Sequence, residues 1–435
     1  MYFLKLLFVI FLTQVSLDAN PSDFQTFKQR YFPKSSATLP PTATTLSEYQ
    51  SLSEVEKYLY LESYFTSSSK GGGQVDSILI NALPSEFNTL TQKLDLGIIQ
   101  YLPDHNLYEV SIPSFYSSQE FLDKLQEASP YIDIEENLPL KLFNTSSGGQ
   151  TPWQALDWPR YNAQIQKLFP TKNRQVTIGI LDTGMSPHFD LGSDALLKND
   201  KNGHGTHVAG IINAIQKNNR GIEGISPTSK IKVYKVLDQD NSGSVMDLIS
   251  ALIQAKRDQC DILNMSLGTY QNSKILYNII TKLSKQNILM IAAAGNDHTS
   301  NPVLPASHPA VIGVGSYSNP IQLSSFSNFG ENSVISLPGE NILSTHLNNK
   351  IFAMSGTSMA APLLTGLMAE IYSSMAGSPS LDDILDAFQT HQVNSNTKYR
   401  VHHAPIDLPT LLKALGPVDY NMKVKLGLIK AVEKK

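Results

Sequence analysis

The sequence predicts an α/β fold, a mostly parallel sheet covered by helices on both faces, with a smaller α+β unit ahead of it. Three observations carry this expectation. From about residue 176 to 315, short apolar runs of strand length alternate with longer runs that place apolar residues on one helical face. Residues 75–142 follow the order strand, helix, strand, strand, helix, strand. Between the two, residues 144–151 carry Gly148 and Gly149 and read as a boundary.

In the leading unit a strand runs through Ile78, Leu79 and Ile80, and Phe87, Leu90 and Leu94 give the next helix one apolar face. A hairpin over 97–102 and 107–112 turns at Pro103, Asp104, His105 and Asn106. A helix over 118–129 and a strand over 131–138 complete the unit. In the main unit the reading gives strands over 176–182, 231–237, 261–266, 288–293 and 311–315. Helices follow His204 and occupy 245–257 and 275–285, and helices over 381–392 and 406–415 close the unit.

The first 19 residues read as a secretory signal: Lys5, an apolar run over 6–12, then a polar stretch ending at Ala19. The apolar run is too short for a membrane anchor, and no later segment is long and apolar enough to span a bilayer. Residues 20–73 are rich in Ser, Thr and Pro, with one helix near 51–65 opened by Ser51 and Glu54 and a linker ending in Gly71, Gly72 and Gly73. A formal net charge of −4 gives no reason to expect nucleic acid. The one cysteine, Cys260, excludes an internal disulfide and reads as core filler beside Ile262 and Leu263. A secreted or periplasmic monomer, free of the membrane after signal removal, is expected.

The chemistry centres on Ser358. Small residues surround it in Ser355-Gly356-Thr357-Ser358-Met359-Ala360-Ala361-Pro362, and Leu363, Leu364, Leu367, Met368 and Ile371 follow at helical spacing. Ser358 is therefore expected where a loop enters a buried helix, whose free N–H groups favour an oxyanion. Pro362 is expected within the first turn, where its missing N–H removes no hydrogen bond. A lone serine here would be read as a helix cap. Two further stretches change that reading. Ile178-Gly179-Ile180-Leu181-Asp182-Thr183-Gly184 is a buried strand ending in a carboxylate, and Asn202-Gly203-His204-Gly205-Thr206-His207 sets a histidine before an apolar helix. A serine hydroxyl needs an imidazole to take its proton, and the imidazole needs a carboxylate to orient it.

Through Asp-Thr-Gly at 182–184, His-Gly-Thr-His-Val-Ala-Gly at 204–210 and Gly-Thr-Ser-Met-Ala-Ala-Pro at 356–362, the chain resembles the subtilisin-like serine proteases over residues 155–416. The resemblance implies a serine endopeptidase with Asp182 as orienting carboxylate, His204 as general base then acid, and Ser358 as nucleophile. Asn296 becomes the side-chain donor to the oxyanion. Ser242-Gly243-Ser244 and Ser266-Leu267-Gly268 become the segments that pair with an extended peptide, with Ala294 and Gly295 also assigned to substrate binding. Asp297 matches an acidic position at the mouth of the primary pocket. Residues 74–143 become a ferredoxin-like propeptide that occupies the cleft as an intramolecular inhibitor and is cut off between about 142 and 158.

No cofactor is implied for catalysis. Asp190 and Asn218 match structural-calcium positions of some family members, although Gln216, Lys217 and Arg220 diverge around them. His204 and His207 lack the carboxylate of a zinc-protease pattern. Leu363 and Leu364 stand where the family usually has a histidine and a small residue, and the segment between Asp182 and His204 is short. The rival readings are a catalytically silent binding protein of the same fold and a metal-dependent hydrolase. Residues 417–435 have no assigned role.

Overall fold

The computed structural model describes residues 77–374, apart from 95, 114–115, 143–148, 158–161, 164, 166–173, 193–198, 216–220, 319–321 and 331–334, and also Ile384. The expected signal, the pro-region and linker, the closing helices, the tail and Asn218 lie outside the described residues.

The leading α+β unit comprises β1 (Ser77–Asn81), α1 (Pro84–Lys93), β2 (Ile98–Leu102), β3 (Leu107–Ser111), α2 (Ser118–Ala128) and β4 (Asp133–Glu136). Its antiparallel sheet has the order β2-β3-β1-β4. The two helices start where the sequence supplies caps. Pro84 opens α1, and at α2 the Glu120 carboxylate accepts the Ser117 N–H at 2.9 Å while Ser117 Oγ accepts the Glu120 N–H. Phe87 and Leu90 of α1 and Phe121 and Leu125 of α2 are buried.

The main unit follows with β5 (Lys141–Leu142), α3 (Pro152–Leu156), β6 (Thr177–Asp182), α4 (His204–Asn213), β7 (Lys230–Lys235), α5 (Val245–Arg257), β8 (Ile262–Met265) and β9 (Leu267–Gly268). It continues with α6 (Lys274–Ser284), β10 (Leu289–Ala293), β11 (Ile312–Ser318), β12 (Gln322–Leu323), β13 (Ile335–Pro338), β14 (Ile342–His346), β15 (Lys350–Met354) and α7 (Thr357–Ser374). The central sheet runs β12-β11-β10-β8-β6-β7, with β13 also on β11. Every pairing in it is parallel except that of β12.

Because side chains alternate along a strand, each strand feeds two cores. Ile178 and Ile180 of β6 join Ile262, Ile291 and Ala293 in a core closed by α4 and α7. Leu181 joins Leu263, Met265, Met290 and Ala292 in the opposite core, closed by α5 and α6 and continuous with Leu79, Leu102 and Leu107 of the leading unit. Cys260 belongs to this second core, as expected of filler. Each aliphatic side chain so buried contributes on the order of 1.5–3 kcal/mol. The parity also fixes function. Asp182 has the parity of Ile178 and Ile180, so it points to the face that carries α4 and α7.

The leading unit meets the main one through the starts of α5 and α6. The Glu135 carboxylate accepts the N–H of Lys274 at 2.8 Å and of Ile275 at 3.3 Å, and the Ser273 hydroxyl. Asn137 Oδ1 accepts the Met246 N–H at 3.0 Å. First-turn N–H groups have no partner within their own helix, so acceptors from the other unit complete both helices.

Candidate active site

Three strand ends and two helix starts converge on one face of the sheet. At the end of β6, Asp182 is fully buried, and its Oδ1 lies 2.7 Å from His204 Nδ1 at the start of α4. Asp182 Oδ1 also accepts the Thr183 N–H at 2.7 Å. This contact keeps the histidine proton on Nδ1 and leaves Nε2 with its lone pair. His204 Nε2 is buried and has no partner among the described residues.

Glycine makes the close approach of α4 to β6 achievable. A Cβ on Gly205 would sit 2.1 Å from the Gly184 carbonyl oxygen and 3.1 Å from Asp182 Oδ1. Gly203, at φ +100°, turns the chain into the helix through the left-handed region.

Ser358 is the second residue of α7 and is wholly buried. Its hydroxyl donates to the Ser266 carbonyl at 2.9 Å, so it is turned to the strand end, with no hydrogen bond to His204. The Ser266 hydroxyl in turn donates to the Ser358 carbonyl at 3.0 Å. That carbonyl is available because of Pro362. The sequence reading placed Pro362 in the first turn, but α7 begins at Thr357, which puts the proline inside the helix. Residue 362 would otherwise have donated its N–H to Ser358, four residues back. The missing bond frees an acceptor that the sheet then uses.

The third strand end carries Asn296. Its Oδ1 accepts the N–H and the hydroxyl of Thr357 at 3.0 and 2.9 Å, which leaves the amide nitrogen buried and without a partner among the described residues. A buried amide donor fixed on its oxygen side and unpaired on its nitrogen side is suited to an anion that forms only during reaction.

The two segments expected to flank a substrate are both engaged by the chain that follows β4. Val245 N–H donates to the Leu138 carbonyl at 2.8 Å, Leu140 N–H donates to the Gly243 carbonyl at 2.9 Å, and Pro139 bridges to Ser244. Next, β5 pairs antiparallel with β9, Lys141 opposite Gly268 and Leu142 opposite Leu267. Ser244 also caps α5, its hydroxyl oxygen accepting the Asp247 N–H. Ser242 donates its N–H to Asp238 and its carbonyl accepts from Asp238, so it holds the loop. Ala294 and Gly295 are buried and use their backbone groups internally, to Val314, Val303, Asn328 and Thr357, so neither offers a peptide a free backbone partner. Asp297 is exposed beside Tyr270; burial first, then a hydrogen bond to Asp297, pushes that phenol up to about 12.

His207 is a core histidine. Its Nε2 lies 3.0 Å from the carbonyls of Ile342 and Phe352, and burial pushes its pKa down to about 3, so it stays neutral. Among the described residues no group of three or more His, Cys, Asp or Glu could hold a metal ion. Asp190 Oδ2 accepts the Ile222 N–H at 3.0 Å, while its buried Oδ1 has no partner among the described residues and burial raises its pKa.

Sequence reasoning missed several residues of this centre. Asn264 accepts the Thr365 hydroxyl at 2.9 Å and donates to Ser266 Oγ at 3.0 Å, tying α7 to β8. A buried amide in the apolar run Ile262-Leu263-Asn264-Met265 was the available signal. Thr183, Thr357 and Asp200 were also passed over.

The subtilase family profile matches residues 173–399, more than half of the chain. The minor extracellular protease Epr of Bacillus subtilis is 35% identical over 270 residues, 58% of this chain and 42% of that protein. The thermostable alkaline protease of Halalkalibacterium halodurans is 31% identical over 305 residues, 68% of this chain and 81% of its own length. Among solved structures, fervidolysin from Fervidobacterium pennivorans, described as a keratinolytic enzyme related to subtilisin, shares the fold with a TM-score of 0.67 at 20% identity, covering 81% of this chain and 62% of that one. On a match of this extent and a common fold, the chain belongs to the subtilase family.

Proposed function

We propose that this subtilase is a secreted serine endopeptidase, made as a precursor, that cuts peptide bonds through Asp182, His204 and Ser358. The observation that carries the proposal is the extended segment 138–142, held as an added strand between Gly243 and β9, next to the Ser266 carbonyl on which the Ser358 hydroxyl rests. A groove that takes one extended chain beside an activatable hydroxyl is suited to cutting extended chains.

In the reaction the Ser358 hydroxyl turns from Ser266 to His204 Nε2, which takes its proton as Oγ attacks the scissile carbonyl carbon. Asp182 holds the imidazole and stabilises the imidazolium. The oxyanion is held by Asn296 Nδ2 and by the start of α7. His204 then returns its proton to the leaving amine, leaving an acyl group on Ser358. Water, deprotonated by His204, attacks the acyl carbon and restores the serine.

In the precursor, segment 138–142 fills the groove and the leading unit acts as an inhibitory propeptide. The self-cut falls between about 142 and 158, in the chain that leads out of β5. Secretion is supported by the leader-like residues 1–19 and by an extracellular relative; no described helix is long and apolar enough to cross a membrane.

The test is Ser358→Ala. The variant should fold, lose peptidase activity and accumulate uncut, while wild type yields a shorter chain with a new N-terminus inside that window. Peptidolysis at the wild-type rate by the folded variant would sink the serine mechanism. The same new N-terminus on the variant, in a host lacking related proteases, would assign the cut to another enzyme.

A further inference from the structure

Asp200 takes no part in the proposed proton transfers, yet it collects more hydrogen bonds than the triad carboxylate. It is 3% exposed. Its Oδ1 accepts the N–H of Asn202 at 2.9 Å, the N–H of Gly203 at 2.8 Å and the Thr183 hydroxyl at 3.0 Å. Its Oδ2 accepts the N–H of Thr206 at 2.9 Å and the Thr206 hydroxyl at 2.6 Å. Burial alone would raise its pKa, but these bonds hold it below the usual carboxylate range, so it is ionised at neutral pH.

The partners divide into two groups. Gly203 and Thr206 belong to the start of α4, whose Gly203 has no side chain to cap the helix. Asp200 supplies that cap and places its charge at the positive end of the helix that carries His204. Thr183 belongs to the turn after β6. Its hydroxyl is 3.0 Å from Asp200 Oδ1 and 3.3 Å from Asp182 Oδ1, while its oxygen accepts the Gly205 N–H at 2.9 Å and its carbonyl accepts Lys235 Nζ at 2.7 Å. A hydroxyl has one proton to give. By drawing it, Asp200 spares Asp182 Oδ1 a third donor and leaves that oxygen to the Thr183 N–H and His204.

We infer that Asp200 is a positioning residue, which locks the start of α4 to the end of β6 and so sets the Asp182–His204 contact. This rests on the proposed serine mechanism. It follows that removing the Asp200 charge should loosen the pair without touching the substrate groove. A shift on the order of 1 Å at reacting groups is enough to cost about a hundredfold in rate.

The test compares wild type with Asp200→Asn, each matured and counted with a fluorophosphonate that reacts with the active-site serine, on one peptide substrate. The expected result is a kcat per titrated site about 10- to 100-fold lower with KM within about twofold. The far-downfield proton resonance of the Asp182–His204 hydrogen bond should move or vanish. If kcat per site and that resonance match wild type, even with a lower melting temperature, Asp200 is a helix cap only and the inference falls. Should Asp200→Asn not fold, Thr183→Val decides. It deletes the hydroxyl between the carboxylates, and it should lower kcat where Thr183→Ser restores it; a valine variant with wild-type kcat overturns the inference. A wild-type protein that fails to react with the fluorophosphonate would refute the serine mechanism itself, which is a separate outcome.

Discussion

Glu109→Gln should change how the stability of the uncut chain depends on pH. The Glu109 side chain is 8% exposed, on β3, and its Oε1 accepts from the Ser77 hydroxyl at 2.7 Å and Asn137 Nδ2 at 3.0 Å. Burial is the main cause of its raised pKa; the charge of Asp247 at the start of α5 adds to it, the two hydrogen bonds oppose it, and the result is about 7 against an ordinary 4.5. A rise of that size is worth about 3 kcal/mol, at about 1.4 kcal/mol per unit. The sign follows from proton uptake. Between about pH 4.5 and pH 7 the folded chain holds a proton that the unfolded chain has lost, so the contribution is fully present at acid pH and is lost as pH rises through 7.

Glutamine keeps the acceptor oxygen and removes the titration. In a Ser358→Ala background, which keeps the chain whole, urea unfolding should be measured from about pH 5 to about pH 8. Relative to the glutamate protein, the glutamine protein should gain about 2–3 kcal/mol across that range. A difference between the two that stays constant within about 0.5 kcal/mol would refute the reasoning, because it would mean that water reaches the carboxylate.

Three further outcomes are expected. Asn296→Leu should lower kcat by roughly 10²- to 10³-fold with little change in KM if the unpaired amide nitrogen is one donor to the oxyanion; an unchanged kcat removes that role. Asp297→Ser should reduce cleavage after Lys and Arg at low salt, and coincident cleavage profiles would dismiss Asp297 from specificity. If Asp190 Oδ1, without a partner among the described residues, helps hold structural calcium, adding calcium at a hundred times the dissociation constant should stabilise wild type by about 2.7 kcal/mol and raise its melting temperature, but not that of Asp190→Asn. No calcium-dependent change in wild type would end that proposal.

The sequence was most legible where neighbours in the chain do the work. The α5 and α6 spans match their apolar periodicity, and α5 begins where Ser244 and Asp247 form a reciprocal cap. It was least legible where distant segments decide. The hairpin of β14 and β15 was not anticipated, since its polar Ser344 and Thr345 resemble loop residues; they are buried because their hydroxyls donate to the carbonyls of His207 and Thr206. The two-residue β5 has no pattern of its own and becomes a strand only against β9. At the site, the motifs named the chemical groups, but neither the turning of the Ser358 hydroxyl toward Ser266 nor the depth of Pro362 in α7 could be read from spacing. The second leaves the Ser358 carbonyl free for the Ser266 hydroxyl.

That free carbonyl alters what Ser358 is fastened to. Ser358 is bonded through both its hydroxyl and its carbonyl to Ser266, and its neighbour Thr357 to Asn296, each just past the end of a central strand. The first turn of α7 is therefore registered to the strands that also support Asp182, and Thr365, beyond the proline, adds a second tie to β8 through Asn264. Pro362→Ala would bring a second donor to the Ser358 carbonyl, so the helix itself would compete with the sheet for the acceptor that now fastens Ser358 to the strand end.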